Sequence, residues 1–157
     1  MQTTKIGLNP EKSQELANDL NDLLANYQLF YMNVRGFHWN IKGDKFFELH
    51  VKFEELYNDL VLKIDEIAER ILTLGHAPLH AFEDYLKISR ITPQKNVSDG
   101  KSCVSSIVDS FQIVIKKQRD LLSLSAKAED EGTNALMSDY VREQEKLVWM
   151  YTSFLGS

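Results

Sequence analysis

Two histidines and three carboxylates stand out for the chemistry they can do together. His38 and His50 are followed by Glu54, Asp65 and Glu69 at helical spacing. Imidazole nitrogen plus carboxylate oxygen is the donor mix of non-haem iron and related divalent metals. On a helical wheel His50, Glu54, Asp65 and Glu69 cluster on one face, about 130° from the apolar row of the same segment. Val61, Ala68 and Leu72 share that face. Apolar groups mixed with carboxylates predict an interface rather than a solvated surface.

Distance then sets a constraint. His50 and Asp65 stand about 22 Å apart on a straight helix, whereas metal–ligand bonds are only ~2 Å. No Gly or Pro falls between them to fold the helix back. One chain therefore cannot offer both to one ion. Two antiparallel copies of this helix about a two-fold axis would set His50 of one opposite Asp65 and Glu69 of the other, and a two-fold makes two equivalent sites from one surface. His38, near the end of the preceding helix, joins His50 through the tight 40–43 turn. The expectation is two shared metal sites per dimer. The more familiar di-iron bundle carries Glu-x-x-His motifs facing its own interior; this chain has none.

The elements that must position these groups read as long helices, because the chain has only three prolines and seven glycines. The first spans 10–39, with Pro10 in its first turn and Leu16, Leu20, Leu23, Tyr27, Phe30, Val34 and Phe37 on its buried face. The second spans 44–74, with Asp44 as expected N-cap, an apolar row from Phe46 to Leu74, and Gly75 as its stop. Residues 98–128 form the third, capped by Ser98 or Asp99, with Val104, Ile107, Phe111, Val114, Leu121 and Leu122 on its core side. Gly132 and Thr133 lie at or just inside the start of the fourth, which carries Leu136, Tyr140, Val141, Leu147, Val148, Tyr151 and Phe154 and stops near Gly156. Between the second and third, a short helix of roughly 79–89 opens after Pro78, with Phe82, Tyr85 and Leu86 as its apolar side. The 76–97 segment reaches roughly 50 Å, enough to run the length of the bundle. The expected fold is therefore all-α: one ferritin-like four-helix bundle, residues 1–157, with a short extra helix in one long crossover.

Bulk properties agree. At 157 residues, 43% hydrophobic and 26% charged, the chain suits one globular domain. Net charge −5 is the wrong sign for a free-standing nucleic-acid module. A single cysteine, Cys103, fits a reducing compartment. No leader-like or membrane-spanning run is visible, so the expected location is cytoplasmic.

HWNIKGDKFFELHVKFEELY followed by DEIAER resembles the mini-ferritins, the Dps family (DNA-binding proteins from starved cells), and the resemblance extends over nearly the whole chain, including LVWMYTSFL. It implies a hollow shell of twelve subunits that oxidises Fe(II), preferring hydrogen peroxide to oxygen, and stores the ferric mineral inside, protecting against oxidative stress. It implies iron sites at a two-fold interface, with His38 and His50 from one subunit and Asp65 and Glu69 from its partner. Glu54, where the family often has Asp, would help bind a second, weaker iron. Trp39 matches a tryptophan proposed to pass an electron to the oxidant. Zinc is the expected competitor.

The same resemblance implies that Asp130 and Glu131 border a three-fold iron-entry pore, although Ala135 stands where a further pore acid is often found. His76 and His80 are read as surface or interface histidines rather than a secondary metal pair, and Cys103 as a half-buried thiol. The alternative function is a nucleoid protein that binds DNA with little iron chemistry. Against it, the first fifteen residues hold only Lys5 and Lys12, and twelve copies at −5 each carry about −60. DNA binding is expected to be weak or absent.

Overall fold

The computed structural model describes residues 2–156. Five helices follow one another: α1 (Pro10–Asn40), α2 (Phe46–Thr73), α3 (Phe82–Ile88), α4 (Gly100–Lys127) and α5 (Glu131–Leu155). The four long ones form the all-α bundle and α3 lies in the crossover, as the periodicity requires. Their ends follow local chemistry. Asn9 caps α1 by accepting from Lys12 N, and Pro10 opens it. Asp99, of the two candidates, caps α4 through Ser102 N, and Asp130 caps α5 through Thr133 N. Each such cap is worth about 1 kcal/mol.

Two expectations at helix ends fail. Asp44 does not cap α2: the helix starts at Phe46, after Lys45, with no side-chain cap, because the Gly43 turn supplies the first bond by Phe46 N to Gly43 O. The crossover helix starts at Phe82, not after Pro78, and Phe82 and Leu86 are exposed while Tyr85 alone is buried. Tyr85 Oη donates to Leu79 O, which holds residues before α3 extended.

α1 packs against α2, α4 against α5, and α1 also against α4 and α3. The start of α4 sits beside the start of α2, because Lys42 N donates to Ser98 O and a Cβ on Gly100 would come within 2.8 Å of Leu49 Cδ1. The start of α5 sits instead at the end of α2, where Arg70 pairs with Asp130 at 2.6 Å. α2 and α4 are therefore parallel, and the 76–97 segment travels the full bundle.

Three asparagines on α1 pin that crossover. Asn21 accepts from Leu79 N and donates to Ala77 O. Asn26 accepts from Arg90 N and Ile91 N. Asn33 donates to Thr92 O and accepts from Gln94 N. Extended backbone with no strand partner finds its hydrogen bonds in these side chains.

The core is the expected set: Leu16, Leu20, Leu23, Tyr27, Phe30, Val34 and Phe37 of α1 face Phe53, Leu60, Ile67 and Ile71 of α2 and Val104, Ile107, Phe111 and Val114 of α4. Phe154, expected with them, is exposed at the end of α5. At mid-height Tyr27, Gln118 and Gln144 close a ring of hydrogen bonds: Tyr27 Oη donates to Gln118 Oε1 at 2.5 Å, Gln118 Nε2 to Gln144 Oε1 at 2.8 Å, and Gln144 Nε2 to Tyr27 Oη at 2.7 Å. Beside them the buried Lys63 pairs with Asp59 and Glu143.

Candidate metal centre

The turn between α1 and α2 creates the site. Ile41 N bonds back to Phe37 O, ending α1; Gly43, at φ +112°, reverses the chain; α2 then returns along α1. The last turn of α1 thereby meets the first turns of α2, and His38 stacks on His50 with ring centres 3.8 Å apart and planes 11° from parallel. Phe46 stacks on the other side of His50, and Tyr57 meets His38 edge-on at 5.3 Å.

The two imidazoles fix one another through the backbone. His38 Nδ1 lies 2.6 Å from His50 O, and His50 Nδ1 lies 2.7 Å from His38 O. A carbonyl only accepts, so each Nδ1 carries the proton and donates it. In the neutral ring Nε2 then holds the free lone pair. Metal-binding histidines are oriented in this way, by a hydrogen bond from the nitrogen that does not ligate. Glu54 Oε1 stands 3.7 Å from His38 Nε2, so a carboxylate borders the lone pair. The His38 ring is buried while Glu54 is half exposed.

Asp65 and Glu69 are not part of this cluster. Both are exposed, on the outer side of the same uninterrupted α2, about four to five turns further along. Neither forms an ion pair among the described residues. Within one chain, among the described residues, no three His, Cys, Asp or Glu side chains are placed to hold a metal ion. The same outer face also carries exposed apolar residues: Phe47, Val51, Val61, Leu62 and Leu72.

A family model for the ferritin-like domain matches residues 17–157. The crystal structure of a Dps protein from Vibrio cholerae O1, described as a member of a broad superfamily of ferritin-like diiron-carboxylate proteins, superposes with a TM-score of 0.97 at 59% identity, covering 99% of this chain and 98% of that one. The chain belongs to the Dps family of ferritin-like proteins. A DNA protection during starvation protein from Porphyromonas gingivalis is 40% identical over 94% of this chain and 93% of its own. An uncharacterised protein of Haemophilus influenzae is 54% identical, over 96% of this chain and 94% of its own.

Other residues singled out from the sequence sit as follows. Trp39 is 60% exposed, its ring under the Arg35 guanidinium. Asp130 is buried; besides capping α5 it pairs with Arg70, so its charge is matched inside this Dps chain. Gly132 is the residue this pairing requires, since a Cβ there would lie 2.7 Å from the Arg70 guanidinium. Glu131 is exposed, as is His80, and His76 is half-buried. Cys103 is fully buried rather than half-buried, and burial pushes its thiol up to about 12. Among the described residues no helix is long and apolar enough to cross a membrane.

Sequence reasoning missed Arg35, Tyr31 and Tyr57 beside the histidines. The signal was available: Tyr31, Arg35 and Trp39 follow one another at four-residue steps, which stacks them on one helix face.

Proposed function

We propose that the chain is a ferroxidase and iron-storage protein, oxidising Fe(II) at sites completed by a second copy. The observation that carries this reading is the pair of locked imidazoles, with Nε2 free beside Glu54, on the same outer face as unpaired Asp65 and Glu69. His38 and His50 bind one Fe(II) together with Asp65 and Glu69 of the opposing copy. Glu54 helps to hold a second Fe(II). The exposed apolar residues between the two ends give the copies a surface to bury.

Two Fe(II) ions at one site deliver two electrons to one peroxide: two Fe(II), one hydrogen peroxide and two protons give two Fe(III) and two waters. No hydroxyl radical forms on that route. Twelve such subunits enclose the ferric mineral, with entry past Glu131 at a three-fold axis. A protein of this kind works in the cytoplasm and binds DNA weakly, since its −5 charge per chain repels phosphate.

Stopped-flow oxidation of Fe(II), by peroxide and separately by oxygen, tests the reading on the native protein and His50→Ala. Rapid peroxide-driven oxidation that the substitution slows by ~100-fold supports it. Equal rates in the two proteins remove His50 from the site.

A further inference from the structure

Arg35 lies one turn before His38 and carries a cation that this chain does not neutralise. Among the described residues it forms no ion pair. Its buried Nε has no hydrogen-bond partner. Its guanidinium carbon sits 5.8, 5.2 and 5.1 Å from the ring centres of Tyr31, Trp39 and Tyr57, and Nη1 donates to Tyr31 Oη at 2.6 Å. Three electron-rich rings hold this charge in place of a carboxylate. Two of them, Trp39 and Tyr57, are immediate neighbours of His38, one in sequence and one edge-on to its ring.

The attraction depends on the negative face of each ring. Removing an electron from the ring reverses it, because the ring then carries positive charge about 5 Å from a cation. We propose that Arg35 is an electrostatic guard: it disfavours one-electron oxidation of Trp39 and Tyr57, so that oxidising equivalents formed at the histidine pair are reduced by iron rather than by protein. This deepens the ferroxidase reading and rests on it. It also runs against the role that resemblance implies for Trp39, an electron donor to the oxidant.

The threatening oxidant is the hydroxyl radical, formed when a lone Fe(II) gives one electron to peroxide and yields Fe(III), hydroxide and the radical. The radical takes one electron from the indole, becoming hydroxide, and the indole radical cation passes its N1 proton to that hydroxide to give water. Arg35 opposes the radical-cation step. Trp149 on α5, 65% exposed with no cation over its ring among the described residues, is an internal reference.

The test compares the assembled native protein with Arg35→Met, which keeps length and loses charge, and Arg35→Lys, which restores charge. Without iron, photogenerated ruthenium(III) tris-bipyridine is the one-electron oxidant, and peptide mass spectrometry gives the ratio of oxygenated Trp39 to oxygenated Trp149. The ratio is expected to rise about tenfold in Arg35→Met, the scale of a partly desolvated cation–π contact, and to stay near native in Arg35→Lys. An unchanged ratio in Arg35→Met, or an equal rise in Arg35→Lys, overturns the guard. Repeating the experiment with Fe(II) and peroxide separates the two readings. A rise in the ruthenium arm but not in the iron arm keeps the electrostatic guard and overturns the location of iron oxidation beside His38.

Discussion

The interior of the bundle and the outer face of α2 each set polar groups among apolar ones, and they handle those groups in opposite ways. Inside, Tyr27, Gln118 and Gln144 satisfy one another in a closed ring, and Lys63 is matched by Asp59 and Glu143. Each group there is already engaged with another, and the buried Lys63 ammonium would repel a metal ion. Outside, two imidazoles are fixed through Nδ1, and Asp65 and Glu69 form no ion pair among the described residues. A buried polar group left unsatisfied costs about 1–3 kcal/mol, so the interior must complete its bonds within the chain. The outer face is under no such demand, and its groups remain available to a metal and to a second copy.

Substitutions on each side sharpen that contrast. The largest effect is expected from the double substitution His38→Ala and His50→Ala, which removes both imidazole ligands. Fe(II) oxidation should fall by at least ~100-fold. A variant that retained native rates would move the chemistry elsewhere. Gln118→Leu should do the reverse, leaving the oxidation rate near native while lowering stability by about 2–4 kcal/mol, because the Tyr27 hydroxyl and the Gln144 carbonyl lose their partners in a dry interior. A thermal melt alongside stopped-flow kinetics decides it; lost activity in a folded Gln118→Leu protein would bring the interior back as a metal site.

A smaller effect is expected at Asn26→Ala, which strips acceptors from Arg90 N and Ile91 N. A loss of about 1–2 kcal/mol should accompany earlier proteolytic cleavage within residues 76–97. Unaltered cleavage would mean that the crossover is held by packing alone. Least of all should happen at Cys103. With its thiol pushed up to about 12, it stays protonated at neutral and mildly alkaline pH. Labelling by iodoacetamide at pH 8 should be negligible until denaturant is added, and ready labelling of the native protein would contradict its burial.

The sequence made the four long helices readable because each buries a long apolar stripe, and the wheel made the outward turn of His50, Glu54, Asp65 and Glu69 readable for the same reason. What escaped it depends on distant partners. Asn21, Asn26 and Asn33 look like ordinary helix polar residues until the crossover, 56 to 65 residues away, lies beside them. Periodicity marked Phe82, Leu86 and Phe154 as apolar, and among the described residues all three remain exposed, Phe82 most of all. Asp44 looked like a cap because its residue type is right; the Gly43 turn had already supplied the bond. The pairing of Asp130 with Arg70 was invisible because that contact closes over sixty residues.

The central claim is that each iron site draws on two chains, and co-assembly tests it most directly. One chain carries His38→Ala with His50→Ala, the other Asp65→Ala with Glu69→Ala, and each alone should be inactive. Mixed from the unfolded state and reassembled, half the dimers pair one of each chain and regain one of two sites, so about a quarter of native Fe(II) oxidation should return. No recovery in a mixture shown to contain mixed dimers would mean that the histidines and the distant carboxylates never share an ion.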